Sequence, residues 1–284
     1  MSEKITSLMD FIEQLASHTE NLSDEMGDLI CFRGHSNDKY ELIPSLFRKK
    51  NYNEFESAMF EEMMVEKPEE FARDKSTFEK LVRMQHYGLP TRLLDITMHP
   101  LVALYFACSN SKGEPSTEND GEVIVFKIPR RHIKYSDDFI VSMLSNICRL
   151  KPWQKDFSEP NNCRELLHKA QLEMSWYEGN IKPDIFKWVV PVKAHKSNDR
   201  IKNQYGLFFL FASITADEYP PIPSNWILTE KSGTKIIIDK DSKVEIRKQL
   251  NSIYVSHRTL FPSDLEQTAK ILKETYLKEN IYEN

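Results

Sequence analysis

Two different periodicities occupy the first 35 residues of the chain. Apolar residues recur at helical spacing at Ile5, Leu8, Phe11, Ile12 and Leu15. This spacing predicts an amphipathic helix near the N terminus. Between residues 28 and 34 the chain alternates instead, which predicts a half-buried strand that carries Arg33 on the same side as Leu29 and Cys31.

Apolar segments further along the chain predict more helices and strands. The predicted helices cover residues 52–66, 76–87, most of 136–178, 241–252 and 262–280, together with a helix that begins at Pro100. The predicted strands cover residues 121–129, 186–192, 204–212 and 234–240. Residues 101–108 are apolar at almost every position, so we expect that helix to be buried, whereas the acidic helices before it should be solvated. Because strands and helices segregate more than they alternate, the sequence predicts an α+β fold.

The overall composition excludes several classes of protein. Of the 284 residues, 40% are hydrophobic and 29% are charged, which is ordinary for a globular domain and excludes a wholly disordered chain. The formal net charge of −5 argues against general DNA binding. No apolar run approaches the roughly 20 residues of a membrane span, and the acidic start lacks the pattern of a signal peptide. We therefore expect no membrane contact and a cytoplasmic location.

The cysteines and histidines show no metal-binding pattern. The four cysteines include no CxxC pair, and the eight histidines include no HExxH spacing. We therefore expect neither a metal site nor a disulfide framework, and we predict that the cysteines are small core residues.

Polar side chains interrupt the apolar segments at three places. These are Arg33-Gly34-His35-Ser36 with Arg48, then Gln85-His86-Tyr87-Gly88 followed by Arg92, Asp95 and Thr97, and lastly Arg200 with Gln204. An arginine cannot give up its charge, so in an apolar setting it needs an anion or several acceptors nearby. The planar guanidinium suits phosphate oxygens, and tyrosine and threonine neighbours suit the ring and sugar of a nucleotide.

We predict that residues from all three places line one cleft, because convergence supplies the partners that buried charges need. The predicted lining residues are Arg33, His86, Arg92, Asp95, Thr97 and Gln204. Four of them also have a purely structural interpretation. Arg33 would pair with Asp95 in the core, His86 would be a satisfied buried histidine, Asp95 would cap a turn or helix, and Gln204 would satisfy a strand edge. The sequence alone leaves these alternatives open.

Four motifs follow one another between residues 28 and 269. They are FRGHSNDKYELIPSLFR, QHYGLPTRLLDITMHPLVALYFA, DRIKNQYGLFF and LFPSDLE. In this order they resemble the FRG domain family, which is named for its Phe-Arg-Gly motif. The resemblance implies an N-terminal helical extension over residues 1–27 and an FRG domain with C-terminal helices over residues 28–284. It implies little about function.

Part of the same region also resembles, more distantly, the arginine-type mono-ADP-ribosyltransferases. The resemblance rests on a strand that ends in aromatic-Arg-Gly, a short polar motif and the helix sequence PLVALYFA. In that family the arginine holds the phosphate or ribose of NAD, a Ser-Thr-Ser motif supports the nicotinamide ribose, and a late glutamate assists transfer. Arg33 matches the arginine, Asp95-Ile96-Thr97 replaces the polar motif, and residues 100–107 match the helix. Gln204 and Gly206 stand where the late glutamate is expected.

This second resemblance implies an ADP-ribosyltransferase-like mixed or antiparallel β core with surrounding helices. It also implies a nucleotide site with NAD as the substrate and no metal. The implied catalytic residues are Arg33, Asp95, Thr97 and Gln204. The implied NAD-binding residues are Arg33, Ser36, Arg48, His86, Tyr87 and Arg92.

Two classes of function follow from these expectations. The first is an NAD-using enzyme that transfers ADP-ribose to a protein or nucleic-acid acceptor or hydrolyses NAD, as a toxin or phage-defence effector does. The second is a module that binds a nucleotide or a partner without chemistry, which the missing late glutamate favours because the neutral amide of Gln204 cannot stabilise an oxocarbenium ion by charge. A phosphodiesterase or nuclease ranks below both, since the sequence shows no carboxylate cluster for metal ions.

Overall fold

A computed structural model describes residues 4–19, 27–110, 112–179, 181, 183–196, 199–212, 219–231 and 235–261. The helix predicted over residues 262–280 and most of the LFPSDLE motif lie outside these residues. The described part confirms the predicted α+β class, because helices surround one mixed sheet of seven strands. None of the described helices has the length and hydrophobicity that a membrane span requires.

The strands are short and lie far apart in the sequence. They are β1 Leu29–His35, β2 Leu93–Thr97, β3 Gly121–Ile128, β4 Lys134–Tyr135, β5 Val189–Lys193, β6 Gly206–Phe211 and β7 Ile236–Ile238. The α-helices are α1 Leu8–Thr19, α2 Lys50–Glu54, α3 Glu56–Glu66, α4 Pro68–Phe71, α5 Thr77–His86, α6 Pro100–Ala107, α7 Phe139–Asn146, α8 Pro160–Gln171, α9 Asp199–Asn203, α10 Leu228–Lys231, α11 Lys243–Ser252 and α12 His257–Leu260. Short 3-10 helices cover Ser45–Arg48, Arg130–His132, Ile147–Arg149, Pro152–Gln154, Pro183–Lys187, Ser224–Trp226 and Lys240–Ser242.

The sheet has the strand order β4-β5-β6-β2-β1-β3-β7, and all neighbours pair antiparallel except β4 and β5. The pairing between β1 and β2, at the centre of the sheet, is the shortest of these. It has one aligned pair, Phe32 with Thr97, whereas β1 and β3 align along the whole of β1. Two well-paired groups of strands therefore meet at a narrow contact beside Arg33.

Strand β2 was not predicted from the sequence. Leu93, Leu94, Ile96 and Thr97 are buried and only Asp95 is exposed, so the strand lacks the apolar and polar alternation that marks a half-buried strand. β2 lies between β6 and β1, where both neighbours cover its edges.

Helix α6 packs against β1 and β3, as its apolar sequence predicted. Leu104 and Tyr105 are fully buried in a core that also contains Val123 and Ile238. Gly34 of β1 permits this packing, because a Cβ added there would lie 2.7 Å from the main-chain nitrogen of Ala107. The glycine of the Phe-Arg-Gly motif therefore sets the distance between helix and sheet.

The N-terminal helix belongs to the same core. Phe11 of α1 is fully buried and joins the cluster formed by α6, α11 and β7. The predicted helix is confirmed. It packs against α11 and β7 and shares a core with α6, which covers β1. The division of the chain between residues 27 and 28 stays a prediction.

Candidate functional site

A cleft lies at the junction of β1 and β2. Its described lining residues are Phe32, Arg33, Gly34, Asp95, Ile96, Thr97, Phe106, Arg200, Gln204 and Gly206. They come from β1, β2, α6, α9 and the start of β6, and the cavity volume is about 140 Å³. Four residues predicted to converge from distant parts of the sequence therefore lie together, namely Arg33, Asp95, Thr97 and Gln204.

Arg33 presents a desolvated positive charge to this cleft. Its Nε donates to His35 Nε2 at 2.9 Å and its Nη1 donates to the main-chain carbonyl of Asp95 at 2.5 Å. Burial lowers the pKa of Arg33 to about 10, with Asp95 opposing that shift and Arg48 adding to it. Among the described residues no carboxylate oxygen lies within 4.0 Å of the guanidinium. The cation is thus oriented by neutral acceptors and is not neutralised by an ion pair.

Asp95 lies in the middle of β2, with its side chain exposed in the cleft. One carboxylate oxygen accepts a hydrogen bond from Gln85 Nε2 at 2.6 Å, and Gln85 Oε1 in turn accepts one from the hydroxyl of Thr91. The interpretation of Asp95 as a cap or turn residue is therefore wrong. The direct ion pair with Arg33 is also wrong, because Arg33 contacts the Asp95 carbonyl and leaves the carboxylate to Gln85.

Hydrogen bonds of Thr97 and Gln204 connect β2, the loop before β6 and α12 at the cleft. Thr97 Oγ1 donates to the Gln204 carbonyl at 2.6 Å and accepts from the His99 amide at 3.0 Å. Gln204 Nε2 donates to the carbonyl of Leu260 at 3.1 Å. Both side chains are therefore engaged with main-chain groups, which leaves Thr97 one acceptor position for a ligand. The interpretation that Gln204 satisfies a strand edge is wrong, because β6 pairs with both β5 and β2 and the Gln204 amide donates to Leu260 of α12.

Arg200 is a second arginine in the cleft; it belongs to the third polar place in the sequence but was not among the residues predicted to line the cleft or to bind NAD. Its Nη1 donates to the main-chain carbonyl of His86 at 3.0 Å, and its guanidinium lies 4.7 Å from the centre of the Phe261 ring. Burial lowers the pKa of Arg200, with Asp95 opposing that shift. The cleft residue Phe106 packs edge-on against Phe261. Nothing in its apolar sequence context distinguishes Phe106 from a core residue.

Arg92 does not line the cleft, and its prediction as a cleft residue is wrong. The side chain is fully buried and forms a bidentate ion pair with Glu56, at 2.8 and 2.6 Å. Lys155 Nζ binds the same carboxylate at 2.7 Å. The physical reason is a long-range pairing, because Glu56 of α3 supplies inside the core the anion that Arg92 needs.

Four other residues predicted for NAD binding lie outside the lining. Ser36 accepts a hydrogen bond from Lys243 Nζ at its main-chain carbonyl, and Tyr87 is an exposed residue that ends α5. Arg48 is exposed and donates to the carbonyl of Ile43 at 3.3 Å, but its charge still acts on Arg33 and His35. His86 lies behind Arg200 and contacts it through its carbonyl. Arg48 and His86 therefore act on the cleft arginines without lining the cleft.

The histidines beside the cleft are neutral near pH 7. Burial, together with the charges of Arg33 and Arg48, lowers the pKa of His35 to about 3. Burial likewise lowers the pKa of His86 to about 4, with Arg200 adding to the shift and Asp95 opposing it. The positive charge of the cleft therefore comes from arginines and does not vary with pH in the physiological range. His35 was not among the predicted site residues, although its Nε2 orients Arg33.

The His35→Gln variant is expected to weaken the dependence of stability on pH. Because the folded pKa of about 3 lies below the ordinary value of 6.5, the folded state binds fewer protons between these values, and the free energy of unfolding falls as pH falls. Between pH 7 and pH 5 this contribution is at most about 2 kcal/mol. Urea denaturation at both pH values measures it. The matched control is His195→Gln, an exposed histidine, for which the wild-type dependence should persist. An unchanged dependence in His35→Gln would show that His35 is accessible to protons in the folded state.

Comparisons with known proteins give one match. The model of the FRG domain family matches residues 28–115, which contain β1, β2 and α6. No curated protein matches the chain. No solved structure matches it either. The resemblance to arginine-type mono-ADP-ribosyltransferases is not confirmed by these comparisons, whereas the segment that carries Arg33, Asp95 and Thr97 matches the FRG domain.

Proposed function

We propose that the cleft binds a nucleotide through its phosphate. The observation that carries this proposal is the state of Arg33, whose guanidinium is desolvated but has no carboxylate within 4.0 Å among the described residues. Leaving a charge in that state costs free energy unless a ligand supplies the missing anion. His35 and the Asp95 carbonyl use two of the five N–H groups, so a planar edge remains for phosphate oxygens.

The size of the cleft limits how the nucleotide lies. A cavity of about 140 Å³ is smaller than the roughly 300–1,000 Å³ of typical ligand pockets. Phosphate groups and the adjoining ribose lie in the cleft, and the rest of the nucleotide extends along the rim. Phe32 and Phe106 give the cleft an apolar wall against which a ring or sugar packs.

We propose further that the nucleotide is NAD and that the chain cleaves it, which Asp95 favours. Asp95 is the one carboxylate among the described lining residues, and its bond to Gln85 holds it in place. When the bond between ribose C1′ and the nicotinamide nitrogen breaks, the electron pair leaves with nicotinamide and positive charge develops on the ribose. A fixed carboxylate stabilises that charge. Water or an acceptor group then forms the new bond to C1′ and loses a proton.

This assignment gives the role of the absent late glutamate to Asp95. Gln204 cannot take the role, because it carries no charge and its amide is bound to Leu260. In the same proposal Arg33 holds a phosphate of NAD, while Thr97 and Gln204 position the loop before β6. An effector that depletes NAD or modifies a macromolecule, as in toxin or phage-defence systems, is the biological setting that this chemistry fits.

Binding is tested by calorimetric titration of the full chain with AMP, ADP, ADP-ribose and NAD. The proposal expects saturable binding that weakens as salt increases, because the interaction is ionic. The absence of binding to all four ligands would contradict it. Saturable binding of NAD without nicotinamide release would support the nucleotide site and contradict the proposal that the chain cleaves NAD.

The Asp95→Asn variant tests the catalytic part. We expect nicotinamide release to fall by about 100-fold or more, because a neutral amide cannot stabilise the charge that develops on the ribose. Affinity for ADP-ribose should stay equal or rise, since the variant removes a negative charge near the phosphate. Chromatography of the products over time gives the rate. The control Asp199→Asn changes an exposed carboxylate of α9 outside the described lining and should keep the wild-type rate. Unchanged release in Asp95→Asn would exclude Asp95 as the stabilising group.

A further inference from the structure

We infer that the cleft selects ligands with two linked phosphates and that Arg200 binds the second phosphate. The inference rests on the proposed nucleotide site and narrows the class of its ligand to diphosphates. It assigns a specificity role to a residue of α9 that lies outside the segment matched by the FRG domain.

Arg200 is held in one orientation before any ligand binds. The carbonyl of His86 fixes one guanidinium nitrogen at 3.0 Å, and the Phe261 ring lies 4.7 Å from the guanidinium. Among the described residues no carboxylate oxygen lies within 4.0 Å of it. Arg200 therefore shares the state of Arg33, because both guanidinium groups are desolvated, oriented by neutral groups and lacking an ion pair. A preorganised donor of this kind loses little entropy when an anion binds.

The charges around the cleft agree with a ligand of two negative charges. Arg33, Arg48 and Arg200 outnumber the single carboxylate of Asp95 by two, and His35 and His86 are neutral near pH 7. The charge of Asp95 opposes the lowering of the pKa of both Arg33 and Arg200. One carboxylate is therefore shared between two arginines. The pyrophosphate diester of a dinucleotide carries two negative charges and would balance this excess.

The sheet order explains why two phosphates fit better than one. Arg33 belongs to β1, and Arg200 belongs to the helix that leads into β6, with β2 between the two strands. The two arginines therefore line the cleft from elements on either side of β2. Linked phosphates present oxygens over a longer span than a single phosphate, and the first phosphate can lie on Arg33 while the second lies on Arg200.

The test compares titrations with AMP and ADP in the wild type, Arg200→Gln and Lys202→Gln. Lys202 is the matched control, because it is an exposed cation of the same helix that pairs with Asp199 and does not line the cleft. We expect the wild type and Lys202→Gln to bind ADP about tenfold or more tightly than AMP. In Arg200→Gln the affinity for ADP should fall by about tenfold or more, whereas the affinity for AMP should change by less than about threefold.

The outcomes separate this inference from the proposed function. Suppose that the wild type binds both nucleotides. If Arg200→Gln then lowers the affinities for AMP and ADP equally, or lowers neither, the role of Arg200 is contradicted and the proposed nucleotide site is still supported. If the wild type binds neither nucleotide, both proposals fail. Should Arg200→Gln melt early, Arg200→Lys replaces it, because the lysine keeps the charge and the apolar stem but cannot form the planar contact. That variant should also lose the preference for ADP, and a retained preference would overturn the inference.

Discussion

Replacing Gly34 by alanine is expected to destabilise the protein by about 3 kcal/mol or more. The added Cβ would collide with the carbonyl oxygen of Ala103 and lie 2.7 Å from the nitrogen of Ala107, both in the main chain of α6. Overpacking typically costs about 1–3 kcal/mol, and we expect the upper end or beyond because a helix backbone cannot rotate away as a side chain can. Denaturant titration of Gly34→Ala measures the loss.

The matched control for this variant is Gly206→Ala. A Cβ at Gly206 would meet its nearest neighbours, in Ile201, at 3.8 Å, which is an ordinary contact. Its cost should be below about 1 kcal/mol. A free energy of unfolding for Gly34→Ala within 1 kcal/mol of the wild type would show that α6 does not approach β1 so closely. The glycine of the Phe-Arg-Gly motif would then need an explanation outside packing.

The Glu56→Gln variant is expected to lose about 3–5 kcal/mol of stability. Burial alone would raise the pKa of Glu56, but the charges and hydrogen bonds of Arg92 and Lys155 lower it below its ordinary value, so the carboxylate is ionised. The variant keeps the shape of the side chain and removes the anion that both cations share. The side chains of Arg92, Glu56 and Lys155 are at most 5% exposed, so water cannot replace it.

An exposed pair provides the control for Glu56. Glu61 also lies in α3 and binds Lys151 at 2.7 Å, but its side chain is 53% exposed. Glu61→Gln should change the free energy of unfolding by less than about 1 kcal/mol. Because Glu56 is outside the described lining of the cleft, folded Glu56→Gln should keep its nucleotide affinity. A cost below 1 kcal/mol for Glu56→Gln would contradict the assignment of a buried ion cluster.

The convergence of Arg33, Asp95, Thr97 and Gln204 could be predicted from the sequence. Each residue interrupts an apolar segment, and polar groups in apolar surroundings need partners, so a common location follows from physical chemistry. The α+β class and the buried helix α6 follow from apolar periodicity in the same way. The chemical roles of the four residues remain proposals, because they depend on a ligand.

The burial of Glu56 and the location of Arg92 could not be predicted from the neighbouring sequence. Glu56 lies in an acidic helix whose polar face was expected to be solvated, and its burial depends on Arg92 and Lys155, which are 36 and 99 residues away. Arg92 resembles Arg33 in its apolar neighbours along the sequence. The two differ in the structure because Glu56 pairs with Arg92 in the core. Long-range pairing therefore decided which arginine faces the cleft.

The affinity of Arg33→Lys for ADP-ribose, measured together with its melting temperature, tests the central claim most directly. Lysine keeps the charge but cannot form the bidentate contact, so we expect the affinity to fall by about tenfold or more while the protein melts within about 2 °C of the wild type. Arg48→Lys, which changes an arginine outside the described lining, should bind ADP-ribose nearly as the wild type does. Wild-type affinity in Arg33→Lys, or early melting with the affinity of the folded fraction retained, would show that Arg33 does not bind an anionic ligand.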